Sequence, residues 1–196
     1  MSRQHEPIAA HPNELQAWCC RSLPPVGKGF KAWCGYLFGL VVRIFTGPYG
    51  HVGIRLFDTI WEAVGEGVVA RHISTWNVKG LVVEAIRIPA TEEQDAAVVH
   101  YCNTHVGVKY DYAINVKIAL SILGLPHGAI PDDLDATLNC SGLEAHAYAH
   151  AGISVAEMVR AGYPLWRFSP SDNWRLVKLG KAAYRGRVVF PSVTGA

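Results

Sequence analysis

Long apolar runs, blocks of like charge and paired-cysteine motifs are all missing from this 196-residue chain, and each absence removes a class of protein. The longest apolar run, Gly35 to Val42 continuing through Arg43 to Phe45, is far short of the ~20 residues a membrane-spanning helix needs. A formal charge of +2, with Lys and Arg scattered rather than grouped, offers no stripe for a nucleic-acid partner. Met1 to Gln16 has no apolar core segment and does not read as a secretion signal. The expected location is therefore the cytoplasm, or outside it after release without a cleaved leader, by lysis or a phage route. Five cysteines, Cys19, Cys20, Cys34, Cys102 and Cys140, make an odd number with no Cys-x-x-Cys spacing, which argues against a disulfide scaffold and a structural zinc. No internal repeat or low-complexity tract is present.

With half its residues apolar, the chain suits one compact core. The stretch from Asn139 to Gly152 organises the rest. Leu143, Ala147 and Ala151 recur at steps of four, Ala145 and Ala149 widen the same face, and Gly152 offers a left-handed stop, so a helix of about three turns is predicted. Asn139 is placed to cap free backbone amides, which puts Cys140 in the first turn at the positive end of the peptide dipoles. That position lowers a thiol pKa and surrounds the sulfur with amides able to receive an oxyanion. Taken alone, Cys140 also fits the commoner fate of a free thiol, a buried and inert packing residue.

Upstream, residues 13 to 23 are predicted as a short helix ended by Pro24-Pro25-Val26-Gly27, with Cys19 and Cys20 as its packing residues. Trp33 to Phe45 reads as a core helix; its single charge, Arg43, disfavours a membrane-surface helix. His51 to Phe57 and Ile60 to Val64 form a hairpin, followed by strands at Gly67 to Ile73 and Leu81 to Pro89. Thr91-Glu92-Glu93-Gln94 opens a helix running to about His105. Gly107 to Tyr112 is expected as a loop, Ala113 to Leu123 as a helix, Leu125 to Leu138 as irregular chain, Val155 to Ala161 as a short helix and Arg187 to Phe190 as a last strand.

A nucleophilic thiol needs a base within hydrogen-bond reach and a third group to orient that base. His146 lies about 120° around the helix from Cys140, and His150 nearly three turns away, so neither reaches the sulfur easily. No histidine follows His150, so the base comes from upstream. His51 is best placed, opening a strand between Gly50 and Gly53; a strand-start histidine without a role is the plainer alternative. Glu62 is the candidate orienter. With a Phe57-Asp58 turn, Glu62 faces Gly53 and shares a face with His51, diagonally at ~7–8 Å between backbones. With an Asp58-Thr59 turn it pairs with Arg55 instead, ~13 Å along the strand from His51, and becomes a surface ion pair. Asp58 and Glu66 are weaker substitutes. His146 and His150 have metal-ligand spacing but no third ligand of the right kind, so no metal and no cofactor is assigned.

These residues resemble a known group. Cys140-Ser141-Gly142-Leu143 resembles the nucleophile motif of NlpC-type cell-wall cysteine peptidases, and Gly107 to Tyr112 resembles the Gly-x-x-Tyr segment that precedes it. Those enzymes place histidine after cysteine. The order Gly50-His51-Val52-Gly53-Ile54, Trp61-Glu62-Ala63, Tyr110-Asp111, Cys140-Ser141 is instead similar to the circularly permuted branch, the YiiX-like papain-fold amidases, distantly related to lecithin retinol acyltransferase. The similarity covers roughly residues 30 to 175, including Ser169-Pro170-Ser171-Asp172. Gly142 departs from the glutamate that permuted members often carry, the interval between His51 and Glu62 is short, and the usual opening Gly-Asp strand is not evident around Val26 to Phe30.

The resemblance implies an α+β, papain-like domain over residues 31–196, a small antiparallel sheet packed against helices, with residues 1–30 as an N-terminal extension. It implies Cys140 as nucleophile, His51 as base, Glu62 as the polar third member, and Tyr110 and Ser141 beside the substrate. The implied activity is cysteine hydrolysis of an amide in a peptide, a peptidoglycan stem or an N-acyl amino acid. The rival readings are an acyltransferase or thioesterase on lipid acyl groups, with Gly35 to Phe45 lining a tunnel, and a binding module that kept the fold and lost the chemistry.

Overall fold

The computed structural model describes residues 13–22, 29, 33, 47–76, 81–122, 124–126, 128 and 137–188. The expected helix from Trp33 to Phe45 (Trp33 apart), most of the irregular segment before the Cys140 helix, and Cys34 lie outside the described residues.

Eight strands and five α-helices are described: β1 Gln16–Ser22, β2 His51–Leu56, β3 Thr59–Val64, β4 Gly67–His72, β5 Leu81–Arg87, α1 Glu92–Thr104, β6 Lys109–Tyr110, α2 Tyr112–Ile122, β7 Thr137–Leu138, α3 Cys140–His150, α4 Val155–Val159, α5 Asp172–Lys178 and β8 Ala183–Arg187. The main sheet has the order β4-β3-β2-β1-β5-β8, and every neighbouring pair is antiparallel. The fold class is α+β.

The sequence reading of residues 13 to 23 as a helix is wrong. Gln16–Ser22 is strand β1, paired with β2 on one side and β5 on the other. Ala17 and Cys19 pack in the large core, Trp18 and Cys20 in a second cluster with Ile60, Trp76, Val83 and Ala85. A strand covered on both faces is apolar throughout and loses the alternation that would identify it. The stretch assigned to an N-terminal extension thus supplies a central strand.

The helices cover one face of the sheet. Leu143 and Ala147 of α3 share the large core with Val52, Ile54 and Leu56 of β2 and Trp61 and Ala63 of β3. Each aliphatic side chain buried there contributes about 1.5–3 kcal/mol, which seats α3 firmly over β2 and β3. Its N-terminus is set by Asn139, whose Oδ1 accepts the Gly142 amide at 2.5 Å, and its end by Gly152 at φ 72°. At α1, Thr91 and Gln94 close a reciprocal capping box.

The β2–β3 hairpin pairs Ile54 with Trp61, Arg55 with Ile60 and Leu56 with Thr59, so Phe57 and Asp58 form the turn. Phe57 takes φ 52°, a conformation few non-glycine residues adopt. Continuing that register sets Glu62 opposite Gly53 and diagonal to His51, the closer of the two predicted arrangements. The surface pairing of Glu62 with Arg55 does not form. Arg55 is buried and lies over the Trp18 ring.

Candidate functional site

Residues 107 to 112, expected as loop, contain a short strand. Lys109–Tyr110 pairs in parallel with Thr137–Leu138, the two residues before the Asn139 cap. This pairing carries Tyr110 to the mouth of α3. The other side of the segment is fastened to β4: the Val68 amide donates to the Val108 carbonyl at 2.8 Å, and the Gly107 amide to the Val68 carbonyl at 2.8 Å.

Cys140, His51 and Glu62, some ninety residues apart at the extremes, meet here. The His51 and Cys140 side chains lie close enough to shift each other's titration, and His51 Nε2 lies 2.8 Å from Glu62 Oε2. With Nε2 committed to Glu62, Nδ1 is the ring nitrogen left to exchange a proton. Backbone amides of Val52 and Ser141 also point at the sulfur. Of the remaining amides in the first turn, Gly142 is taken by the Asn139 side chain and Leu143 by its carbonyl.

The electrostatics follow from these contacts. Burial alone would raise the Cys140 thiol, but the His51 hydrogen bond and charge, with the Val52 and Ser141 amides, hold it below the ordinary thiol value. Burial alone would lower His51; its bonds to Cys140 and Glu62, and their charges, raise it to about 10. The two shifts reinforce each other, each favouring an imidazolium beside a thiolate. Cys19, Cys20 and Cys102 behave in the opposite way, since burial pushes each thiol up. Cys140 is set apart from them by its partners.

Glu62 is 5% exposed, and the surroundings keep it charged. Burial opposes ionisation, but His51, the Trp76 indole and Arg71 outweigh it and hold the carboxyl below its usual range. Trp76 Nε1 donates to Oε1 at 2.9 Å and Arg71 Nε lies 3.4 Å from the same oxygen. Trp76, Arg71 and Asn115 are site residues that the sequence reading did not single out. For Arg71 a signal existed: β3–β4 pairing places Arg71 opposite Ile60, on the face and the diagonal of Glu62. Trp76 carries no such signal, because its reach depends on how the chain turns after β4.

Tyr110 touches the Cys140 side chain, and burial, then the Cys140 charge, keep its phenol protonated. Its hydroxyl accepts from Asn115 Nδ2 at 3.1 Å, and Asn115 Oδ1 accepts from Asn139 Nδ2 at 3.0 Å. The helix cap and the site tyrosine are therefore joined through one asparagine.

An open cleft of about 790 Å³ adjoins these groups, lined by His51, Glu62, Arg71, Trp76, Tyr110 and Asn115 together with the β3–β4 turn, Leu81 and Tyr112. Cys140, 7% exposed, does not itself line the cleft; His51 and Tyr110, which do, stand beside its side chain. Ser141 does not line the cleft. It is buried, and its contribution is its amide.

His146 is half-buried in α3, and His150 is exposed with its ring 5.3 Å from that of Tyr101. Among the described residues no group of three or more His, Cys, Asp or Glu is placed to hold a metal ion, and no helix is long and apolar enough to cross a membrane. Comparison with protein families, with curated proteins and with solved structures gave no match.

Proposed function

We propose that this chain is a papain-like thiol hydrolase that cleaves an amide through an acyl-enzyme on Cys140. The observation that carries the reading is the placement of one imidazole between a thiol at a helix N-terminus and a buried carboxylate.

The thiolate of Cys140 attacks the substrate carbonyl, forming a carbon–sulfur bond and a tetrahedral oxyanion. With the Gly142 and Leu143 amides taken by Asn139, the Cys140 amide is the first-turn donor assigned to that oxygen. As the carbon–nitrogen bond breaks, the imidazolium of His51 gives its proton to the departing amine. Neutral His51 then takes a proton from water, the hydroxide displaces the sulfur, and the acid leaves while thiolate and imidazolium are restored. Glu62 stabilises the imidazolium and fixes the ring, and Tyr110 stands beside the sulfur as a protonated donor. The amide as the bond cleaved follows from the resemblance to permuted NlpC-type amidases.

The direct test is mass-spectrometric trapping of an acyl adduct on Cys140 after incubation with amide substrates. A haloacetamide probe at mildly acid to neutral pH is expected to label Cys140 ahead of Cys19, Cys20 and Cys102, and Cys140→Ala to abolish both the fast labelling and hydrolysis. Equal labelling of all four thiols would remove the case for an activated nucleophile.

A further inference from the structure

Arg71 is the cleft's guanidinium, and it holds two carboxylates of very different kinds. Its Nε faces Glu62, which is 5% exposed and already bonded by His51 and Trp76. Its Nη2 donates to Glu66, whose side chain is 63% exposed. We infer that Arg71 recognises a carboxylate on the substrate and that Glu66 is the internal carboxylate which the substrate displaces. The inference rests on the hydrolase reading above and narrows it to amides that carry a free carboxylate.

Three features support the exchange. An exposed ion pair contributes only ~0–1 kcal/mol, so releasing Glu66 costs little, while the Glu62 contact keeps the guanidinium aimed. A guanidinium has five donors in a planar fork suited to two-point binding of carboxylate, so it can take a second acceptor without leaving Glu62. The backbone need not move. Glu66 sits between Gly65 and Gly67 in a turn docked on the 107–110 segment, where a Cβ on Gly67 would come within 2.6 Å of the Val108 carbonyl oxygen, so only the Glu66 side chain has to swing away.

The position is also right for a substrate group. Arg71 is separated from the reacting sulfur by one imidazole ring, one carboxylate and the hydrogen bonds between them. Arg71 and His51 line the same cleft, so a substrate seated over His51 can extend a carboxylate toward Arg71, and a charged hydrogen bond of this kind favours the acid over its carboxamide by about tenfold or more.

The test uses the full chain carrying Cys140→Ala, so that binding is read without turnover, with N-benzoylglycine and N-benzoylglycinamide titrated by NMR. The acid is expected to bind about tenfold more tightly than the amide. Adding Glu66→Gln should tighten the acid severalfold and leave the amide unchanged, and adding Arg71→Met should erase the preference. Equal binding of the two probes, no binding of either at millimolar concentration, or a Glu66→Gln change that weakens the acid would overturn the assignment. With Cys140 intact, the ratio of kcat/KM for acid over amide separates recognition from any effect of Arg71 on Glu62, which would lower kcat for both. Preferential binding of the acid with no acyl adduct on Cys140 would sink the hydrolase reading and leave the carboxylate site standing.

Discussion

The indole of Trp76 donates to Glu62 Oε1 at 2.9 Å, which leaves Oε2 to take His51 at 2.8 Å. One carboxylate thereby ties the small cluster on the second face of the sheet to the base of the site. Replacing Trp76 with Phe keeps most of the buried area and removes only the donor. A buried carboxylate oxygen that loses a partner costs about 1–3 kcal/mol. Trp76→Phe is expected to lower stability by that order and kcat/KM by about tenfold, with the alkaline limb of the pH profile moved down as Glu62 holds His51 less firmly. Trp18→Phe is the control, because Trp18 Nε1 bonds Gln16 in the same cluster. It should cost stability and leave the pH profile where it is.

The paired shifts of Cys140 and His51 fix the pH dependence of the reaction. The thiolate is present above the depressed Cys140 pKa, and the imidazolium is present below the His51 value of about 10. Activity should therefore be broad across neutral pH and fall as His51 loses its proton near 10, while thiolate alkylation persists beyond that limb. His51→Ala removes the strongest favourable partner of the thiolate. It should return the Cys140 labelling midpoint toward that of an ordinary thiol and reduce turnover by about 10²–10⁴-fold. A labelling midpoint unmoved by His51→Ala would show that the amides alone set the thiol.

Much of this arrangement could be read from the residue order. Asn139, Cys140, the apolar steps of four and Gly152 specify a capped helix, and it forms over Cys140–His150. The hairpin was legible as a hairpin, but its turn was not, since Phe57-Asp58 contains no glycine or asparagine to mark it and Phe57 adopts its left-handed conformation unaided. The geometry of Glu62 to His51 hung on that choice. Strand β1 was misread because burial on both faces removes the period of two. Lys109–Tyr110 pairs with Thr137–Leu138 through two residues, too few for any pattern, yet that pairing delivers Tyr110 to the sulfur. Trp76 and Asn115 act through long-range contacts that no local spacing encodes.

Glu144 lies one helical turn beyond Cys140, fully buried, with Asn173 Nδ2 donating to Oε2 at 2.9 Å. Burial, with smaller additions from the charges of Cys140 and Asp172, raises its carboxyl to about 8. In the unfolded chain the same group titrates near ~4.3. Between those values the folded protein keeps a proton that the unfolded chain releases, so this residue makes stability fall as pH rises through the window. Glu144→Gln removes the titration and keeps an acceptor for Asn173. Its unfolding free energy is expected to gain on the parent's steadily from pH 5 to pH 8, by up to a few kcal/mol at the upper end. A difference independent of pH would mean that Glu144 is not carrying the proton.

The docking of the 107–110 segment on the β3–β4 turn can be tested without touching any residue of the site. Gly67 has φ 115°, and an added Cβ would lie 2.6 Å from the Val108 carbonyl oxygen, so Gly67→Ala both strains the backbone and pushes the segment away. Gly107, at φ 91°, has nothing within 4 Å of an added Cβ, so Gly107→Ala imposes backbone strain alone. Both changes should destabilise the fold by about 1–3 kcal/mol. They part at the site. Displacing Val108 displaces Tyr110 two residues on, so Gly67→Ala is expected to depress kcat several-fold more than Gly107→Ala. Labelling of Cys140 should stay fast in both, because His51 and Glu62 lie on β2 and β3 and keep their 2.8 Å contact. Equal kcat in the two variants would show that Tyr110 reaches the sulfur through its pairing with Leu138 alone, with the β3–β4 turn serving only as a wall of the cleft.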